Sequence, residues 1–262
     1  MFDVDVYLDR LGHTGPRRPS PDLLRELHKR HMMTIPFDNA LNAARGLDIW
    51  EGVDIDLDAV FDQVVAGGRG GVCHEISGLF RELLRRLGFD VVIMSAGVRM
   101  ANGAFGPQRE HMFHVVGLDG ARWIVDVGFA GPSFIEPIRF EPGEQQQYGS
   151  WFRLEPDGGA WVLHRRPRDG AWQPTYRFLD LERDLSEWPG DPDLRAYARE
   201  LTIAETLIRG RAHDNGQQTL IGRRYTRVDD GVEQVRVLVK TDEFAAVTAG
   251  ILRPDRLIGT AG

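Results

Sequence analysis

The chain has 262 residues and a formal net charge of −7, with 42% hydrophobic and 27% charged residues. That composition is typical of a globular protein of two or three packed subdomains, and the acidic balance argues against nucleic-acid binding. No apolar run approaches the roughly 20 residues that a membrane-spanning helix needs, and the first residues lack the features of a signal peptide. We therefore expect a cytoplasmic protein without membrane or nucleic-acid partners.

Residues 1–90 have the periodicity of packed helices. Ser20 can cap a helix that begins with a proline, and Asp58 can cap a second, short helix that ends at a pair of glycines. A third helix is expected over Cys73–Leu87, because its apolar side chains recur on one face and a glycine follows.

From residue 91 the apolar period changes to two, and turn residues separate short segments. This pattern predicts an antiparallel sheet that closes into a barrel. The predicted strands are Val91–Val98, Met112–Leu118, Arg122–Val127, Ser150–Leu154, Ala160–His164 and Thr175–Phe178. The glutamines at 145–147 are interpreted as a surface loop. After residue 183 we expect a helix over 192–209, a hairpin over 219–239 and a last helix over 242–249.

Cys73 is the only cysteine, which excludes an intramolecular disulfide and a multi-cysteine zinc site. It stands where the third helix begins. A helix N-terminus presents unpaired amide donors and a positive dipole end, and both lower the pKa of a thiol. Lone cysteines are usually buried structural side chains, so a role as nucleophile depends on a base and on a group that orients the base.

Two histidines, His111 and His114, lie on the strand before an Asp-Gly turn signal at 119–120. A two-residue turn there places position 113 opposite Asp126. Because side chains alternate between faces, His111 then shares a face with Asp126, whereas His114 points to the other side. Diagonal cross-strand neighbours are close enough for a carboxylate to hold an imidazole. The pattern therefore selects His111 and Asp126 as partners of the cysteine.

Structural roles are expected for the other histidines and for the arginine that precedes the two glycines. His114 is expected to pack in the core, and Arg69 to form a salt bridge with Asp38 or Glu75. Packing or solvated roles are expected for the histidines at 13, 28, 31, 74, 164 and 213.

Three motifs surround these residues. Residues 69–75 read Arg-Gly-Gly-Val-Cys-His-Glu, residues 126–129 read Asp-Val-Gly-Phe, and residues 35–39 read Ile-Pro-Phe-Asp-Asn. Fourteen residues separate His111 from Asp126. In these motifs and in this spacing, the sequence resembles the arylamine N-acetyltransferase family over residues 1 to about 180.

The resemblance implies an α+β fold of three subdomains. These are a helical bundle with the cysteine (residues 1–90), an antiparallel β-barrel with the histidine and the aspartate (91–183), and an interdomain helix with an α/β lid (184–262). It implies that Cys73, His111 and Asp126 form a catalytic triad. An acyl group would pass from a thioester to the cysteine and then to an amine.

The same resemblance suggests the substrates and their site. No metal and no permanently bound cofactor are expected, and the donor is acetyl-CoA or an acyl chain on the phosphopantetheine arm of an acyl carrier protein. The residues expected to line the substrate site are Phe37, Val72, Val98, Gly128 and Phe129. An acidic carrier protein needs a basic patch, for which Arg223 and Arg224 are candidates, with the arginines at 165, 166, 168, 209 and 211.

Several positions depart from the family pattern. Val72 and His74 replace residues that are usually aromatic, Ala130 replaces a glycine, and Leu185–Gly190 replaces an asparagine-rich segment near the lid. The chain is also about five residues longer than usual around 46–52. Because the lid and the stretch after the aspartate help to bind coenzyme A in members that use it, these departures question coenzyme A as the donor.

The departures slightly favour the ansamycin-type amide synthase branch, in which a polyketide is loaded from a carrier protein and released as a macrolactam. The alternative is an acetyl-CoA-dependent arylamine N-acetyltransferase that acts on small arylamines. A cysteine hydrolase of the transglutaminase or papain type shares the order of the three residues, and sequence order does not decide whether water or an amine resolves the thioester. A binding module on an inactive scaffold is disfavoured by the intact triad.

Overall fold

The computed structural model describes residues 1–40, 56–188, 191–194, 196–197 and 206–252. Its helices are α1 (Val4–Leu11), α2 (Pro21–Thr34), α3 (Leu57–Phe61), α4 (Cys73–Arg86) and α5 (Thr241–Leu252). A π-helical turn over Asp62–Ala66 continues α3, and residues 192–194 and 196–197 are also helical. Among the described residues, no helix combines the length and the apolar character needed to cross a membrane.

The strands form two antiparallel sheets. The larger sheet contains β2 to β9, and the smaller one contains β1 and β10 to β13. Their bounds are Phe37–Asp38 (β1), Asp90–Val98 (β2), His111–Leu118 (β3), Ala121–Val125 (β4), Ile138–Arg139 (β5), Gly143–Gln147 (β6), Ser150–Asp157 (β7), Ala160–Arg166 (β8), Gln173–Phe178 (β9), Ile208–His213 (β10), Gly216–Ile221 (β11), Arg224–Asp229 (β12) and Val232–Val237 (β13).

The N-terminal helices begin largely where the sequence predicts. The Ser20 hydroxyl accepts the Leu23 N–H at 3.1 Å, so α2 starts as expected. The cap of α3 is Asp56 and not Asp58, because the Asp56 carboxylate accepts the first free amides of the helix. The Asp58 carboxylate instead accepts the N–H of Phe2, and so ties the N-terminus to this helix.

The larger sheet is the nearly closed barrel that the sequence predicts, with the strand order β5-β4-β3-β2-β9-β8-β7-β6. The β3–β4 hairpin turns at Asp119 and Gly120, whose φ angles of 51° and 72° suit a tight two-residue turn. In this register His114 lies opposite Val125. The predicted pairing is therefore confirmed, and Asp126 follows directly after β4.

The seam between β5 and β6 is closed by glutamine side chains. The Gln145 amide accepts the Arg139 N–H at 2.7 Å and donates to the Arg139 carbonyl at 2.9 Å. Gln147 accepts the N–H groups of Ile135 and Glu136 and donates to the Glu136 carbonyl. The interpretation of residues 145–147 as a surface loop is thus wrong. They form strand β6, and their side chains replace a backbone ladder across the seam.

The smaller sheet joins distant parts of the chain in the order β1-β10-β11-β12-β13. β1 comes from the N-terminal 90 residues but pairs with β10, with Phe37 opposite Gly210. The helix predicted over 192–209 is wrong at its end, because Ile208 and Arg209 lie in β10. The hairpin predicted over 219–239 is part of a four-strand meander. We call the sheet and α5 the lid; the segment around 46–52 lies outside the described residues.

Candidate active site

Contacts with β1 and within residues 69–75 hold the start of α4 in place. Gly71 forms a parallel bridge with Phe37, and its carbonyl accepts the Asp38 N–H at 2.9 Å. The Glu75 carboxylate accepts the N–H of Val72 and pairs with Arg69 at 2.7 Å. These contacts fix the orientation of the helix N-terminus, where Cys73 is the first helical residue.

A glycine brings the barrel against this helix. A Cβ placed on Gly128 would lie 3.0 Å from the Cys73 Cα and 2.5 Å from the Ser77 Oγ. Such distances leave no room for a side chain, so position 128 has to be glycine for the loop after Asp126 to reach the helix. The Gly128 N–H in turn donates to the Asp126 Oδ1 at 3.1 Å.

His111 lies between Cys73 and Asp126. Its Nε2 is 2.8 Å from the Asp126 Oδ2, and both side chains are buried. Because Nε2 is engaged by the carboxylate, Nδ1 is the nitrogen left for the interaction with the neighbouring Cys73 sulfur. Phe129 packs edge-on against the imidazole, with ring centroids 5.5 Å apart, and Tyr176 lies beside both rings. The structure thus brings together Cys73 and the two residues, His111 and Asp126, that pairing parity selected.

The electrostatics of the pair favour charge separation. Burial by itself raises the pKa of the Cys73 thiol, but the imidazoles of His74 and His111 lower it to about 5. Burial by itself lowers the pKa of His111, but the Asp126 carboxylate and the sulfur raise it to about 10. At neutral pH the site therefore holds a thiolate beside an imidazolium, which is the reactive form of a nucleophilic cysteine.

His74 departs from the role expected for it. Its Nδ1 lies 3.3 Å from the Cys73 Sγ, and its ring is buried with an exposed fraction of 5%. The sequence predicts packing or solvation for it, because it lies outside the hairpin whose register places a histidine beside Asp126. At the first helical turn, however, the two side chains meet, so the sulfur has a second imidazole beside it.

Two other buried histidines support the site without contacting the sulfur. His114 Nε2 donates to the Ser77 carbonyl at 2.9 Å, and burial lowers the pKa of His114 to about 4. His28 Nε2 accepts the Asp126 N–H at 3.0 Å, while its Nδ1 donates to the Ile135 carbonyl at 2.9 Å. Burial lowers the pKa of His28 to about 4, so it stays neutral and can accept that bond.

The predicted substrate-lining residues lie on different structural elements. Phe37 and Phe129 line a cavity of about 20 Å³, together with Gly210 and Thr219 of the lid. Val98 lies at the end of β2, opposite Tyr176, and Gly128 packs on the helix. Val72 is buried at the N-cap of α4. Binding of substrate by these residues stays a prediction.

The predicted docking arginines differ in exposure. Arg223 donates to the carbonyls of Leu238 and Val239, and so holds the end of the lid sheet together. Arg224 begins β12 and is exposed. Arg165 is buried against Glu233, and Arg209 against Asp38. Of these four, Arg223 and Arg224 are exposed, whereas Arg165 and Arg209 are buried, so docking through Arg223 and Arg224 stays a prediction. Within the same described ranges, no group of three or more His, Cys, Asp or Glu side chains could hold a metal ion.

Known proteins are similar to this chain in sequence and in architecture. Residues 21–252 match a family model described as N-acetyltransferase. The chain is 39% identical over 258 residues to proansamycin X synthase of Amycolatopsis mediterranei, covering 97% of this chain and 98% of that one. It is 33% identical over 238 residues to arylamine N-acetyltransferase of Escherichia coli, covering 88% and 82%.

Solved structures agree with the sequence matches. Arylamine N-acetyltransferase of M. tuberculosis superposes with a TM-score of 0.79 at 27% identity, covering 95% of this chain and 94% of that one. The enzyme of Mycobacterium marinum in complex with CoA gives 0.76 at 29% identity, covering 95% and 91%. The family model and the full-length relatives, together with the fold, show that this chain belongs to the arylamine N-acetyltransferase family of acyltransferases.

Proposed function

We propose that this protein is an amide synthase of the ansamycin type. It takes an acyl chain from the phosphopantetheine thioester of an acyl carrier protein onto Cys73 and transfers it to an aryl amine. When the amine is at the other end of the same chain, the product is a macrolactam. The observation that carries the proposal is the 39% identity to proansamycin X synthase over nearly the whole of both chains.

The geometry supports acyl transfer through an acyl-cysteine. The Cys73 thiolate attacks the thioester carbonyl, and the C–S bond of the donor breaks as the donor sulfur takes the proton of the His111 imidazolium. Because Cys73 is the first residue of α4, the positive dipole end of the helix lies beside the sulfur and favours the oxyanion that forms next to it. Asp126 holds the imidazole by its Nε2 through the whole step, so that Nδ1 carries the transferred proton.

The second half-reaction uses the same residues in reverse. The amine attacks the acyl-Cys73 carbonyl, and neutral His111 accepts the proton that the amine loses. As the new C–N bond forms, the C–S bond breaks and the sulfur leaves as a thiolate. The thiolate–imidazolium pair is then restored. Water in place of the amine would give hydrolysis, so the identity of the nucleophile separates a transferase from a hydrolase.

Intact-mass spectrometry tests this proposal. The protein is incubated with acetyl-CoA and, separately, with a long-chain acyl thioester, and an aryl amine is then added. We expect the long acyl group to add to the wild-type protein and not to Cys73→Ala, and the amine to discharge it as an amide. Discharge to the carboxylic acid at the same rate with and without amine would indicate a hydrolase.

The second candidate function is the acetylation of small arylamines by acetyl-CoA. It is favoured by the M. marinum enzyme in complex with CoA, which covers 95% of this chain with a TM-score of 0.76. Loading of the acetyl group alone, followed by acetylation of the aryl amine, would assign this function and contradict the amide synthase proposal.

A further inference from the structure

The Cys73 sulfur is contacted by two imidazoles, and the triad accounts for one of them. His111 reaches it from strand β3, and His74 reaches it from the next position of its own helix, with 3.3 Å between Nδ1 and Sγ. This distance is within the range of a hydrogen bond to sulfur. Because a thiolate has no proton to donate, the hydrogen of this bond belongs to His74 Nδ1.

The His74 ring is held in place from its other side. Its centroid lies 6.1 Å from the Trp188 ring in an edge-to-face contact, and Trp188 is itself 1% exposed. The Trp188 Nε1 donates to the Arg109 carbonyl at 2.9 Å, which fixes the indole. This packing and the burial of the ring restrict its rotation and favour the orientation in which Nδ1 faces the sulfur.

We infer that His74 is a second catalytic residue, which stabilises the Cys73 thiolate by hydrogen bonding and so makes it a better leaving group in transfer to the amine. The inference rests on the proposed function, because it concerns the second half-reaction. The His74 ring packs against Trp188 and also supplies a donor to the sulfur.

The hydrogen bond changes strength along the reaction. The sulfur of an acyl-cysteine carries no charge and is a weak acceptor, whereas the sulfur of the departing thiolate is a strong one. His74 therefore stabilises the transition state for C–S cleavage more than the acyl-enzyme that precedes it, which is the condition for catalysis. The proton lost by the amine goes to His111, and His74 keeps its own.

Four titratable side chains of the described residues bear on the charge of the sulfur. His111 and His74 favour the thiolate, while Asp126 lies behind His111. Glu110 lies on the chain next to His111; burial raises the pKa of Glu110, and the charge of Cys73 contributes to that increase. Removal of the His74 donor leaves His111 as the thiolate's main stabilising partner among these groups.

The test compares His74→Phe with wild type and with His164→Phe. Phenylalanine keeps a ring against Trp188 and removes the donor, whereas His164 lies on β8 beside Glu155, outside the site. Two measurements are made: the pH dependence of Cys73 alkylation by iodoacetamide, and single-turnover rates of acyl loading and of discharge to an aryl amine. We expect His74→Phe to raise the apparent thiol pKa by about one pH unit or more.

We also expect discharge to the amine to slow about tenfold in His74→Phe, and loading to change several-fold less. His164→Phe should match wild type in every measurement. An unchanged alkylation profile, or equal slowing of loading and discharge, would overturn the inference. If His74→Phe does not fold, His74→Asn, whose amide can donate, takes its place and is expected to retain more discharge activity than His74→Leu.

The two proposals fail separately. Alkylation by iodoacetamide needs no substrate, so it reports on His74 even if no thioester loads the protein. Failure of every thioester to load the wild-type protein would contradict the proposed function. If the wild-type protein loads and discharges but His74→Phe leaves the pH profile of Cys73 alkylation unchanged, only the inference about His74 is contradicted.

Discussion

The β3–β4 hairpin and the edge of the lid sheet differ in how their side chains are used. In the hairpin region His111, His114 and Asp126 are all buried, and each is hydrogen-bonded. At the lid edge, by contrast, apolar side chains face outward, with Val235 exposed by 47% and Val237 by 65%. The hairpin tolerates little change because each buried polar group depends on its partner, whereas the lid edge can vary without disturbing the chemistry.

The two histidines of β3 give the strongest test of this difference. His111→Ala should abolish acyl loading, because the thiolate loses its base and its main charged partner. His114→Ala should keep loading within a few-fold of wild type and lower the free energy of unfolding by about 2 kcal/mol, since a buried ring and its hydrogen bond to Ser77 are lost.

Loading is measured by intact mass and unfolding by chemical denaturation. The opposite result, in which His114→Ala is inactive and His111→Ala loads normally, would place the base on the other face of β3.

Asp126→Asn comes next in expected effect. The amide can hold the imidazole but cannot stabilise its positive charge, and in the serine-protease triad the corresponding change costs about 10⁴ in rate. We expect single-turnover loading to fall by about 10² to 10⁴, with the Cys73 alkylation profile shifted to higher pH. A wild-type loading rate would show that the imidazolium needs no carboxylate here.

The pH dependence of loading follows from the charge pair. The pKa of Cys73 is lowered to about 5, so the thiolate is lost as the pH falls through that value. The pKa of His111 is raised to about 10, so the imidazolium is lost as the pH rises through that value. Loading from an uncharged thioester should therefore be nearly constant between these limits and fall tenfold per pH unit below the lower one.

That profile is measured with an N-acetylcysteamine thioester. A single inflection near pH 8.5, the value for a free cysteine, would mean that the pair does not form.

The smallest effect is expected at Arg224 on β12 of the lid, next to the edge strand β13. Arg224→Glu should slow loading from a carrier-bound thioester several-fold at low salt, and less at high salt, because exposed charges are screened within about 10 Å at 0.1 M. Loading from a small uncharged thioester should not change. Arg17→Glu, at an exposed position near the N-terminus, is the control. Equal loss with both donors would indicate a folding defect, and no loss with either would place docking elsewhere.

How much of the site could be predicted depended on the distance between partners in sequence. The β3–β4 register follows from one two-residue turn, so parity alone placed His111 beside Asp126. The contact of His28 with the Asp126 N–H spans 98 residues, and no local pattern encodes it. His74 was missed for a different reason, because it lies on a helix, where the strand register that selected His111 gives no information.

The fold shows the same division. Ser20 and the β3–β4 turn are local signals, and both elements begin or turn where expected. The predicted helix ran into the first two residues of β10, because the pairing partners β1 and β11 decide the conformation of this strand and β1 lies far away in sequence. The glutamines of β6 lack the apolar alternation that identifies a strand, since their amides bond across the seam.

The glutamine seam also ties the closure of the barrel to the alignment of the catalytic carboxylate. Gln147 accepts the Ile135 N–H, the Ile135 carbonyl accepts from His28, and His28 accepts from the backbone of Asp126. Opening of the seam therefore loosens the support behind the carboxylate. Amide hydrogen exchange at Ile135 should report the same opening event that misaligns the triad. A natural variant at position 147 could thus lower turnover in a protein whose every substrate contact is intact.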